Sequence, residues 1–147
     1  MMNQNYSINV GIAMSECKHN ERQGGIGLVV HDEAGNFVEQ MSMKVLEVTD
    51  NAELELCALV EALEHAQDGD TIYSNSAFCV NGFNSWLDNW KAKGWRKSNR
   101  KPVANRQLWQ QVDELRSTKY VEVCQVNRND LFSAVELAKE CVTGRKY

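Results

Sequence analysis

Seven basic side chains crowd one short stretch of this sequence: Lys91, Lys93, Arg96, Lys97, Arg100, Lys101 and Arg106. No acidic residue lies between Asp88 and Asp113, and Trp86, Trp90 and Trp95 are interleaved with the charges. Cations at this density can neutralise phosphates and release their counterions, and indole rings can lie against sugars or bases. The plain alternative is a solvated helix-loop face. Trp86 and Trp90 are four residues apart, which suits core packing on one helix equally well. The stretch holds seven of the 16 basic residues, leaving nine basic against 20 acidic elsewhere, a balance of −11 within a net charge of −4. An acidic body bearing one basic arm points to a local polyanion contact.

Other chemistry-bearing residues are less patterned. Cys17, Cys57, Cys79, Cys124 and Cys141 form no CxxC pair and are odd in number. Neither a disulfide framework nor a zinc site follows from that spacing, and buried reduced thiols are expected. His19, His31 and His65 are scattered and are expected at the surface or in loops.

The elements that must position these residues follow from periodicity. Ile8, Val10, Ile12 and Met14 alternate with Asn9, Gly11 and Ala13, the period of a strand. A second strand starts at Gly24-Gly25 and covers Ile26 to Val30. Gly35-Asn36 turns into a third, Phe37 to Val45. Asp50 with Glu53 forms a capping-box-like start, after which Leu56, Leu59, Val60 and Leu63 make one helix face. A short strand, Thr71 to Ser74, precedes a helix capped by Ser76, with Cys79, Phe83 and Trp86 as its apolar face. Leu108, Val112 and Leu115 mark another helix. Tyr120 to Val126 suits a fifth strand. Ala134, Leu137, Ala138 and Cys141 line a last helix. The order β-β-β-α-β-α-α-β-α predicts an α/β fold with a five-stranded mixed sheet flanked by helices. At 147 residues, 43% hydrophobic and 24% charged, the chain suits one soluble domain, residues 1–147, with a basic protrusion at about 91–106. No apolar run is long enough for a membrane span, and Met1 to Tyr6 has no signal pattern. A cytoplasmic protein with no membrane partner is expected.

This order, and the run Trp86-Leu87-Asp88-Asn89-Trp90-Lys91-Ala92-Lys93-Gly94-Trp95, resemble bacterial ribonuclease H of type 1. Arg100-Lys101-Pro102-Val103-Ala104-Asn105 and Leu108-Trp109-Gln110 extend the match through the family's basic protrusion and its next helix. Gly24-Gly25-Ile26-Gly27, Glu55-Leu56 and Glu136-Leu137-Ala138 carry it along most of the chain. In that family four carboxylates hold two divalent ions, one activating water and one stabilising the leaving oxygen. Aligned on the flanking motifs, the four positions are Met14, Glu55, Asn75 and Val135. Only Glu55 keeps its carboxylate. The family's histidine loop reads Asn127-Arg128-Asn129-Asp130 here, shorter and without histidine.

Methionine and valine offer magnesium no hard oxygen, and asparagine offers a neutral one. The resemblance therefore implies a protein that is not an enzyme, with its Mg2+ site lost and no cofactor. It implies nucleic acid binding, to an RNA/DNA hybrid or another duplex, through Trp86, Trp90, Lys91, Lys93, Trp95, Arg96, Lys97, Arg100 and Lys101. Asn20 and Asn51 match positions that contact the hybrid's minor groove, whereas Ala52, Ala77 and Asp50 replace other contact residues. Two alternatives stand beside this expectation. The fold is a scaffold for a protein partner, or Glu16 or Asp130 rebuilds a metal site and residual metal-dependent cleavage survives.

Overall fold

The computed structural model describes residues 4–16, 22–97 and 99–143. Three antiparallel strands come first: β1 (Ser7–Glu16), β2 (Arg22–His31) and β3 (Phe37–Val45). The Asp32 carboxylate closes the β2–β3 turn by accepting from the Ala34 and Asn36 amides at 3.0 and 2.8 Å. Helix α1 (Asn51–His65) starts where the spacing predicts, with Asp50 Oδ1 accepting from the Glu53 amide at 2.9 Å. β4 (Thr71–Ser74) pairs parallel to β1, and β5 (Glu122–Gln125) pairs parallel to β4. The sheet order is β3-β2-β1-β4-β5. Between β4 and β5 lie α2 (Ala77–Asn81), a π-helical turn (Gly82–Trp86), α3 (Leu87–Ala92), the basic loop and α4 (Arg106–Thr118). A 3-10 turn (Arg128–Leu131) leads into α5 (Phe132–Thr143).

The strand alternation divides the two faces of the sheet. Ile8, Val10, Ile26 and Leu28 are buried in one core with Leu56, Leu59 and Leu63 of α1 and Trp109 and Val112 of α4. The opposite face of β1 and β2 carries glycine, and α5 lies on it. A Cβ on Gly11 would come within 2.3 Å of the Ala134 carbonyl carbon. On Gly27 it would come within 2.1 Å of the Ala134 oxygen, and on Gly25 within 2.2 Å of the Ala138 oxygen. The helix backbone thus rests almost directly on the strand backbones.

Two expectations need correction. The second helix is not one regular face of Cys79, Phe83 and Trp86. The Leu87 amide reaches back to the Gly82 carbonyl, a π-type bond that shifts the face by one residue. Leu87 is fully buried, while Trp86 is 37% exposed. Gly82 permits this close packing, since a Cβ there would fall 2.1 Å from the Trp109 ring. The fifth strand is also shorter than Tyr120 to Val126, because the Tyr120 amide is taken by Asp68 Oδ1 at 2.6 Å instead of a strand partner. Among the described residues no helix is long and apolar enough to cross a membrane.

Candidate functional site

The end of β1, the residue after β4, the start of α1 and one face of α5 enclose a cavity of about 300 Å³ lined by Met14, Asn51, Glu55, Asn75, Arg128 and Lys139 among others. The structure therefore gathers three of the four positions marked by the resemblance. The fourth, Val135, is buried on α5 and does not line the cavity. Lys139, one helical turn further along the same face, does. Met14 is half-buried and packs on the apolar core. Glu55 Oε2 accepts a hydrogen bond from Ser76 Oγ at 2.9 Å, and Ser76 Oγ caps α2 by accepting from the Cys79 amide at 3.1 Å. Burial pushes the neighbouring Cys79 thiol up to about 12, against the Ser76 hydrogen bond and helped by the Glu55 charge, so it is no nucleophile at neutral pH.

Sequence reasoning did not single out Arg128 or Lys139. The available signals were the four-residue step from Val135 and the position of Arg128 in the shortened loop. Of the alternative carboxylates, the described Asp130 does not line this cavity. Asp130 is exposed in the 3-10 turn, its amide donating to the Asn127 carbonyl at 3.0 Å. Glu53 lines a different cavity with Cys57 and Arg106. Glu16 ends β1, and its side chain lies outside the described residues, as does Asn20. Among the described residues no group of three or more His, Cys, Asp and Glu is placed to hold a metal ion. Among the described residues, one carboxylate beside a guanidinium and an ammonium does not fit a pair of divalent ions.

The basic stretch folds into an ordered loop. The Trp95 amide donates to the Trp90 carbonyl at 2.7 Å, the Lys97 amide to Lys101 at 2.8 Å, and the Val103 amide to Trp95 at 3.1 Å. Arg96 and Pro102 form an antiparallel bridge, and Arg96 Nη1 donates to the Arg100 carbonyl at 3.2 Å. Gly94, Trp95, Arg100 and Asn105 all have φ between 57° and 68°. For a bulky residue such as Trp95 this left-handed conformation is costly, and the flanking hydrogen bonds hold it.

Beside the loop, Trp86 and Trp90 with Asn89, Lys93, Arg96 and Lys97 line a cavity of about 420 Å³. The two rings lie 5.7 Å apart, and Trp90 lies 5.3 Å from the buried Trp109. Each indole is thus anchored to the core while contributing to an open, cation-rimmed surface. Arg100 and Lys101 are exposed, and Trp95 is half-buried against the core. Lys91 is turned elsewhere: its Nζ pairs with Asp113 at 3.1 Å, alongside Arg116 at 2.7 Å. Burial alone would raise the Asp113 carboxyl, but the hydrogen bonds from Arg116 and Lys91 outweigh it and hold the group below the usual aspartate value.

A family model described as RNase H matches residues 15–128. Ribonuclease H of Clostridium botulinum is 41% identical over 116 residues, covering 73% of this chain and 76% of that one. Ribonuclease H of Ruthia magnifica is 35% identical over 102 residues, 67% of this chain and 68% of that one. Among solved structures, LC9-RNase H1, a type 1 RNase H with the type 2 active-site motif, superposes with a TM-score of 0.77 at 22% identity, over 99% of this chain and 75% of that one. LC11-RNase H1 in complex with RNA/DNA hybrid superposes with a TM-score of 0.69 at 21% identity, over 95% and 98%. Two expectations are corrected by these relatives. Proteins at 35–41% identity bear the name Ribonuclease H, which points to an enzyme and overturns the expectation that the chain is not one. The expectation of no cofactor falls on the same ground, because ribonuclease H is the family whose resemblance brings Mg2+ with it.

Proposed function

The chain belongs to the RNase H family, and from that premise we propose that it binds an RNA/DNA hybrid and acts on it as a ribonuclease. The observation that carries the binding half is the surface of Trp86 and Trp90 rimmed by Lys93, Arg96 and Lys97. Two indoles tilted 52° to each other give a hybrid apolar contact, and the cations neutralise its backbone. The activity half rests on the curated relatives. No step is routed through a metal ion. On this reading the described residues make one domain, residues 91–106 protrude as its grip, and the work is done in the cytoplasm. The four described cysteines, Cys57, Cys79, Cys124 and Cys141, are free thiols, which suits that compartment.

The test is a labelled hybrid incubated with the full chain in Mg2+ and in Mn2+, beside a binding titration of hybrid, duplex RNA and duplex DNA. Salt-dependent binding and cleavage of the RNA strand are expected. Binding without cleavage in either metal sinks the nuclease half. Absence of binding to all three duplexes sinks the whole reading.

A further inference from the structure

We propose that the cavity at the end of the sheet is an anion site, in which Arg128 and Lys139 hold a phosphate of the nucleic acid backbone. The inference rests on the nucleic-acid reading above and goes beyond it, since it assigns direct phosphate contact to two residues outside the basic loop. The charge of the cavity carries it. Among the described residues, two cationic side chains and one carboxylate line the space, a positive balance within that set. The carboxylate is itself engaged, because Ser76 Oγ donates to Glu55 Oε2. Asn51 and Asn75 add side-chain amides that can donate to an oxyanion.

The two cations differ in how they are held. Among the described residues no hydrogen bond or ion pair restrains the Arg128 guanidinium, which is exposed on the 3-10 turn. A guanidinium presents a planar fork that matches two phosphate oxygens at once. Lys139 already pairs with Glu136 at 3.2 Å, with 52% and 43% of the two side chains exposed. Such an exposed pair is weak, and an ammonium has three donors, so a phosphate can share Lys139 with Glu136. Lys139 reaches the cavity because Gly11, Gly25 and Gly27 seat α5 close against the strands. Side-chain cations thus occupy the place where the family resemblance puts divalent ions, and both kinds of cation offer the same partner, a phosphate oxygen.

The experiment uses the full chain without divalent metal. Isotope-labelled protein is titrated with inorganic phosphate while the Arg128 Nε and the side-chain amides of Asn51 and Asn75 are followed by NMR. Saturable shifts are expected, lost in Arg128→Gln/Lys139→Gln and enhanced in Glu55→Gln, where the repelling carboxylate is gone. A site built for metal would instead be weakened by Glu55→Gln, and that result overturns the proposal. In parallel, hybrid affinity is measured across a salt series. Arg128→Gln should reduce the slope of log K against log salt by about 1 and the double variant by about 2. Both residues are exposed, and thermal melts of the variants confirm that they fold.

If the wild type binds hybrid but the double variant keeps the same slope and affinity, the proposal fails and the proposed function stands. Phosphate-induced shifts with unaltered hybrid binding mean that the cavity takes free phosphate, which overturns the backbone assignment. Conversely, Lys93→Glu/Arg96→Glu/Lys97→Glu addresses the loop alone. Undiminished hybrid binding in that variant, with a flattened slope in the double variant, removes the loop from the proposed function and leaves the cavity assignment in place.

Discussion

Asp113 of α4 shows how a charged residue in the basic region serves the fold. It accepts from Arg116 and Lys91, and Arg116 also reaches Asp88 at 2.8 Å, tying α3 to α4. The Asp113 carboxyl titrates below its ordinary value when folded. Its contribution to stability is therefore complete above the unfolded value, about 3.9, and is lost as pH falls through the folded value. Asp113→Asn should lower stability at pH 7 by about 1.5 to 3 kcal/mol, the range for hydrogen bonds to charged groups. Urea unfolding below about pH 4 should show a shallower acid limb in the variant than in the wild type, and parallel acid limbs would refute this. The same residue marks a limit of sequence reading. Lys91 belongs to the basic run by composition alone, and only the fold shows it turned toward α4. Composition counts charges but does not know where each points.

At the level of elements, periodicity was legible wherever one face of an element met one core. The even-numbered residues of β1 from Ile8 to Met14 and the Asp50 cap of α1 were found this way. The π-helical turn was not, because an i to i+5 bond leaves no periodic mark and depends on Trp109 meeting Gly82 from another helix. The seating of α5 was hidden for a similar reason, since glycine in a strand signals close approach without naming what approaches. Two glycines test that account in opposite ways. Gly27→Ala drives a methyl to 2.1 Å from the Ala134 oxygen. It should cost about 3 kcal/mol through overpacking and push α5 off the strands. Gly35→Ala meets nothing within 4 Å and suffers only its φ of +87°. That change should cost about 1 to 2 kcal/mol. Denaturant midpoints rank the two, and a Gly27→Ala protein as stable as Gly35→Ala would contradict the close seating.

For the molecule as a whole, the acidic remainder confines attraction to the loop and, on the inference above, to the sheet-end cavity. About four loop cations on phosphate should contribute roughly −3 to −4 to the slope of log K against log salt, and the two cavity cations about −2 more. A flat salt response would show that charge does not drive the association. The family and the order of elements along the chain could be read from the sequence, because long motifs and hairpin patterns are local. The resemblance marks Met14, Asn75 and Val135 as carboxylate positions of the family. The approach of Arg128 and Lys139 to that cavity was not legible, since they meet only after β5 and α5 are placed. The glycine bed has one more effect, on assembly. Gly11 and Gly27 are cross-strand partners, as are Ala13 and Gly25. A slip of one residue between β1 and β2 would turn Ile26 and Leu28 toward α5, and the last helix would find no place to land. Docking of the C-terminal helix therefore proofreads the first hairpin, so that Lys139 reaches the cavity only in a chain whose opening strands have already paired correctly.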